Sequence, residues 1–311
     1  MTALRRATGI ALVLTYALIV LGAWVRASGS GLACPDWPTC YGHWVPLPGE
    51  IPPDAGYAYD QVMLEWGHRL LAGVILGPLV LVIGWLAWRV RAHNPRLLAY
   101  AAALIALLLV QAGLGGATVL DQNSPWSVAL HLSAALLLFS VLWLIYARTG
   151  PAVAGAPGAA LALGIVVWLL ALGAMASAAI TTKTGAALAC STWPLCDGEL
   201  IPNLSDPAIR INFSHRALAA GVGVGALALF AASRGRPGPI RALAGWTLLL
   251  AAGEILLGAL VVIWQVPMAT AVLHQAVGVL VFGLLSLLMW RCVGTAPAHR
   301  EKLDHARLSG A

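Results

Sequence analysis

Residues 32–40 read LACPDWPTC, and residues 188–196 read LACSTWPLC. Two cysteines six positions apart, with Trp-Pro between them, are thus written twice at an offset of 156 residues. The echo runs outward from there. Aligning 26–42 with 182–198 gives identities at Gly29/Gly185, Leu32/Leu188, Ala33/Ala189, Cys34/Cys190, Trp37/Trp193, Pro38/Pro194, Cys40/Cys196 and Gly42/Gly198. Downstream, EWGHR (65–69) matches NFSHR (212–216), QAGLGGATVLDQ (111–122) matches EILLGALVVIWQ (254–265), and ALHLSAALLLF (129–139) matches VLHQAVGVLVF (272–282). The chain reads as an internal duplication. The Gly/Ala/Pro-rich stretch RTGPAVAGAPGAA (148–160) is its joint, which predicts halves at 1–150 and 151–311.

What is duplicated is a set of membrane spans. The chain is 60% hydrophobic and 10% charged, and a run of ~20 apolar residues crosses a bilayer core. Eight such runs lie near 8–26, 64–88, 98–119, 127–147, 158–181, 212–232, 241–263 and 270–291. Strand-like alternation is absent, and 33 glycines suit close helix packing in lipid. The expected fold is an all-α polytopic membrane protein of eight transmembrane helices. Four spans per half is an even number, so both halves enter the membrane in the same direction. That predicts two parallel four-helix bundles related by a pseudo-twofold axis along the membrane normal.

Basic residues set the expected orientation. With the N-terminus inside, the inner loops and tails hold Arg5, Arg6, Arg89, Arg91, Arg96, Arg148, Arg234, Arg236, Arg241, Arg291, Arg300, Lys302 and Arg307, leaving Arg26, Arg69, Lys183, Arg210 and Arg216 outside. The net charge of +6 is therefore a topology signal, and without a long basic tract it offers nucleic acid no binding surface. Arg26 stands between the first apolar run and Cys34, and the cysteine phrase recurs mid-chain, so the start is not read as a cleaved lipoprotein signal.

Four histidines are costly where they lie. His68, His131, His215 and His274 open the second, fourth, sixth and eighth spans at one depth, two in each half. Ionisable groups within spans are usually paired or functional, and repetition at matched positions argues against four unrelated interfacial residues. Two imidazoles facing each other across a bundle are a means of holding a heme iron from both sides. Zinc takes three or four ligands, and no Cys or carboxylate cluster completes such a set. The expected layout is one heme pocket per half, toward the outer face.

The halves differ in their acids. Glu65 precedes His68 by one turn, while its repeat position is Asn212; this suggests that the N-terminal pocket is the reactive one. A helix-start acid favouring the macrodipole is the other reading of Glu65. Glu254 sits mid-span opposite Gln111 of the first half, where a charge costs ~2.5–3.5 kcal/mol. Pairing with an arginine, protonation and a proton path stand as its readings. Arg69 and Arg216 each follow a histidine and either meet heme propionates or snorkel to headgroups. The cysteines pair as Cys34–Cys40 and Cys190–Cys196 in outside loops, where disulfides persist. A seven-residue loop stabilises by only roughly 2–2.5 kcal/mol, so each bridge reads as a clamp over its pocket, with a redox-active pair as the alternative. Cys292 lies at the inner end of the last span.

This pattern resembles the heme A synthase family, of the bacterial type with cysteine pairs in both outside loops. The likeness rests on EWGHRLLAG, CPDWPTC, CSTWPLC and the four histidine positions, and covers about 8–291. The resemblance implies a membrane oxidoreductase that converts the C8 methyl of heme O to the formyl of heme A for cytochrome oxidase. It implies heme b as cofactor on His215 and His274, substrate heme near His68 and His131, and Glu65 as the catalytic carboxylate. Expected partners are heme O, a heme O synthase, an electron acceptor and membrane lipid, with an oligomer left open; the expected place is the bacterial cytoplasmic membrane, both termini cytoplasmic. The competing functions are a di-heme b-type cytochrome for electron transfer and a heme transfer protein.

Overall fold

Prolines and short polar side chains punctuate the apolar runs and start the helices. A computed structural model describes residues 1–151, 158–236 and 238–293. Helix α1 spans Thr2–Ala27, α2 Tyr59–Leu70, α3 Gly77–Arg89, α4 Pro95–Leu120, α5 Pro125–Arg148, α6 Gly158–Lys183, α7 Pro207–Ala232, α8 Gly238–Ile263 and α9 Met268–Cys292. Proline occupies the first turn of α4, α5 and α7, where its missing N–H would have no helical partner. Ser124 caps α5 by accepting from the Ser127 amide, and Asp206 caps α7 by accepting from Ala208 and Ile209.

Among the described residues, eight helical segments are long and apolar enough to cross a membrane. The second of them, Tyr59–Arg89, joins α2 to α3 through a π-helical turn at Leu71–Leu76. Pro78 is the sequence cause: its ring clashes with the carbonyl one turn back, and widening the turn relieves the clash. The repeat places Gly225 there, and α7 runs unbroken. Among the described residues there is no strand, only the isolated bridges Cys40–His43 and Cys196–Glu199. The structure is all-helical and its spans are those of a multi-pass membrane protein. The joint at 152–157 and the tail carrying Arg300, Lys302 and Arg307 lie outside the described residues.

Each half packs in a ring: α1, α3, α4 and α5 in turn, then α6, α7, α8 and α9 in turn. The rings meet where α5 packs on α6, α1 on α9, and α5 on α9. Leu136, Leu138, Leu142, Ile145, Phe282 and Leu285 of α5 and α9 are fully buried there. Gly283 makes room for the Phe139 ring, since a methyl group on it would stand 2.8 Å from that ring. Val13, Val74, Leu109, Val224 and Leu249 point outward instead, as lipid-facing residues do.

Candidate functional site: two histidine pairs beneath disulfide loops

The loop after α1 is built from its own short-range chemistry. Cys34 and Cys40 are disulfide-bonded, as are Cys190 and Cys196 after α6. Asp36 accepts from the amides of Tyr41 (2.6 Å) and Gly42 (3.0 Å) and from the Thr39 hydroxyl. Burial by itself would raise the Asp36 carboxyl, but these hydrogen bonds together outweigh it and hold the group below the usual carboxylate range. Thr192 takes the place of Asp36 in the repeat, and its hydroxyl accepts from the Asp197 amide at 2.8 Å. Both loops then turn through left-handed backbone, at Tyr41–Gly42 and at Asp197–Gly198.

Each loop is fastened to the helix below by the arginine that follows a histidine. Arg69 Nη1 donates to the carbonyls of Asp36 (2.5 Å) and Thr39 (2.7 Å), and Nη2 donates to the carbonyl of Cys34 (3.0 Å) and to Glu65 Oε1 (2.6 Å). Arg216 repeats this on Cys190 (2.6 Å), Thr192 (2.7 Å) and Leu195 (3.4 Å). Sequence reasoning offered propionates or headgroups as partners of these arginines; the structure gives them loop carbonyls, and all four terminal N–H groups of Arg69 are engaged. Glu65 is 5% exposed. Its second oxygen accepts from the Cys34 amide at 2.9 Å, so it links helix, arginine and disulfide loop. Asn212 instead donates to the carbonyls of Ala186 (2.8 Å) and Ala187 (2.9 Å).

Beneath the loops the histidines meet in pairs. His215 and His274 have ring centres 6.4 Å apart and ring planes at 83°. His68 on α2 and His131 on α5 hold the corresponding places in the first half. Glycines make the room: a methyl group on Gly22 would stand 3.2 Å from the His68 ring, on Gly115 3.1 Å from His131, and on Gly258 3.1 Å from His274. Trp37 reaches from the first disulfide loop to α4, where the same addition on Gly116 would fall 3.0 Å from its ring.

The surroundings of the two pairs are unlike. His215 Nδ1 lies 3.1 Å from both Ser177 Oγ and the Ala174 carbonyl, and His274 Nδ1 lies 3.0 Å from Glu254 Oε1. The buried Nδ1 atoms of His68, His131 and His274 all lack an aligned hydrogen-bond partner, Glu254 standing near His274 by distance alone, and in the first half Gln111 Nε2 meets His131 Nε2 at 3.3 Å. Glu254 thus pairs with a histidine, where an arginine was one sequence expectation. Ser177 and Ala174 escaped sequence reasoning altogether, because nothing marks a serine or a backbone carbonyl on an apolar helix. Arg26, in sequence only a charge at the end of the first span, donates to Gln275 at 3.1 Å, tying α1 to α9 beside His274.

The donor set fits heme. Metal–imidazole bonds of ~2 Å place two ring centres roughly 6 Å apart across one ion, which matches the His215–His274 spacing. Zinc needs further ligands, and no three metal-ligating side chains converge among the described residues.

Comparison with known proteins gives this geometry a family. A model described as cytochrome oxidase assembly protein matches residues 5–286. A heme A synthase of Symbiobacterium thermophilum is 34% identical over 312 residues, covering 95% of this chain and 97% of that protein. The chain belongs to the heme A synthase family. A heme A synthase of Geobacillus kaustophilus is 29% identical, covering 93% of this chain and 91% of that protein. Another, of Shewanella oneidensis, is 35% identical across 63% of this chain and 62% of that protein. Membership covers both histidine pairs and both disulfide loops, since the family match reaches past His274.

Proposed function

We propose that this protein makes heme A by oxidising the C8 methyl of heme O to a formyl group, with the substrate in the half spanning 1–150 and a resident heme b in the half spanning 151–311. The observation that carries the reading is the asymmetry of two otherwise duplicated histidine pairs. In the half spanning 151–311, Ser177 and the Ala174 carbonyl back His215, and the Glu254 carboxyl group stands 3.0 Å from His274 Nδ1. In the other the imidazoles are unbacked, with the carboxylate one turn away on Glu65. A site that fixes its ligands suits a cofactor that stays; a looser site beside a carboxylate suits a substrate that passes through.

His215 and His274 would hold heme b, which when bound supplies a one-electron relay. His68 and His131 would hold the substrate. Converting methyl to formyl replaces two C–H bonds by one C=O bond, most simply by successive hydroxylations; this is a four-electron oxidation whose electrons pass to the external electron acceptor, and the protons released need an acceptor of their own. Glu65 is held in place by Arg69 and the Cys34 amide, which occupy two of its roughly four lone-pair sites. The remainder are available to take a proton or to stabilise positive charge on the reacting carbon. The disulfide loops act as lids, locked down by Arg69 and Arg216. The contact pattern of the helices is unchanged when the halves are exchanged, α1·α9 with α6·α5, which supports the pseudo-twofold arrangement. The basic residues favour termini inside a bacterial cytoplasmic membrane and pockets toward the outer face.

The test is to extract and identify the hemes of the purified protein. Heme b together with heme O, an alcohol intermediate or heme A is expected. Two equivalents of heme b alone would support a di-heme cytochrome instead. Glu65→Gln is expected to keep both hemes and abolish heme A output; undiminished output would leave Glu65 only its loop-anchoring role.

A further inference from the structure

The duplication exchanges two carboxylates for two amides. At the position one turn before the second-span histidine, the first half has Glu65 and the second Asn212. On the third span the order reverses, Gln111 in the first half and Glu254 in the second. Both third-span side chains reach the fourth-span histidine of their own half, but at different nitrogens. Gln111 meets Nε2 of His131, and Glu254 meets Nδ1 of His274. Glu254 is itself packed in: a methyl group on Gly278 would stand 2.8 Å from its Oε1 and 3.0 Å from Met175 Sδ.

We propose that Glu254 is the positioning residue for His274 and, with Ser177 and the Ala174 carbonyl at His215, makes the C-terminal pocket the one that retains its heme. This rests on the reading of His215 and His274 as the heme b ligands. The Ala174 carbonyl has no proton to give, and the Ser177 hydroxyl donates to it at 2.8 Å. His215 Nδ1 must therefore be the donor, which leaves Nε2 as the lone-pair nitrogen. At His274 the Glu254 Oε1 atom, 3.0 Å from Nδ1, is the acceptor at hand and favours the same tautomer there. Such backing fixes ring orientation and raises ligand basicity, and its loss typically costs about 10–100-fold in metal affinity. His131, met at Nε2 by an amide, is neither oriented from behind nor free at the ligating nitrogen until Gln111 gives way. The first pocket is thereby built for exchange.

The experiment uses the purified full chain with its bound heme, and measures heme b loss to excess apomyoglobin alongside the midpoint potential. Glu254→Gln is expected to keep heme b, release it about 10–100-fold faster, and raise the potential, because an amide oxygen is the weaker acceptor. Glu254→Asp should recover part of both effects, and decides the matter if the glutamine variant does not fold. Ser177→Ala should give a smaller shift in the same direction, since the Ala174 carbonyl remains. Wild-type release and potential in both Glu254 variants would overturn the positioning role while leaving the ligands in place. A His274→Ala protein with unaltered heme b content and spectrum would instead overturn the ligand assignment on which the proposal rests.

Discussion

The same arginine, written twice, does unequal work. Arg69 neutralises a buried carboxylate, whereas Arg216 binds loop carbonyls over Asn212. Removing one partner of a buried pair leaves an uncompensated charge and costs about 3–5 kcal/mol. Losing hydrogen bonds at a more open site costs less, about 1–2 kcal/mol. Arg69→Ala is therefore expected to destabilise the detergent-solubilised protein clearly more than Arg216→Ala in a denaturation series. Equal losses would show that Glu65 gains nothing from its guanidinium. At this scale the sequence marked Glu65, Glu254 and the four histidines, because ionisable groups in apolar spans stand out and the repeat doubles the signal. Their partners were not legible. Glu65 joins residues 31 positions away, and Ser177 lies 38 positions from His215; no local pattern encodes such contacts.

At the scale of the element, the disulfide loops hold their shape by several small devices. The seven-residue bridge contributes roughly 2–2.5 kcal/mol, the arginine stitches the carbonyls, and Asp36 caps the turn. Because the Asp36 carboxyl is held below its ordinary value of 3.8, its contribution is complete above that value and is lost as pH falls through the lower folded-state pKa. The protection of the Tyr41 and Gly42 amides, taken as exchange relative to the intrinsic rate at each pH, should thus be constant from neutral pH to about pH 4, then fall. Asp36→Asn should show lower protection at neutral pH and lose that step. A step retained in Asp36→Asn would assign it to another group. The paired cysteines, the Trp-Pro between them and Gly42 announced these loops in the sequence. The π-helical turn at Leu71–Leu76 did not announce itself: Pro78 predicts disturbance in a helix, and neighbouring helices decide which form it takes.

For the whole molecule, the consequential surface is the one between the rings. Gly283 on α9 faces Phe139 and Trp143 of α5, and a methyl group there would stand 2.8 and 3.0 Å from them. Trp290 donates to the Ser140 carbonyl at 2.9 Å, and Arg26 to Gln275 at 3.1 Å. Overpacking a tight interface costs typically 1–3 kcal/mol, and here α5 and α9 carry His131 and His274. Gly283→Leu is expected to lower heme content in both pockets together, although it lies more than two helical turns from either histidine. Loss from one pocket alone would show that the halves pack independently. Thermal denaturation and heme extraction on the same preparation check this.

By itself the sequence determined the eight spans, the duplication and the four histidines, since hydropathy, repetition and buried polarity are one-dimensional signals. Its family resemblance extended these to heme A synthesis. Only the tertiary structure decided what the conspicuous side chains touch. It showed Arg69 and Arg216 fastening the disulfide loops, brought Glu254 to His274, and set the N-terminal carboxylate under the disulfide. The physical reason is that hydrophobicity places a helix in the bilayer, while the rotation and depth that bring one polar atom within 3 Å of another come from packing against its neighbours.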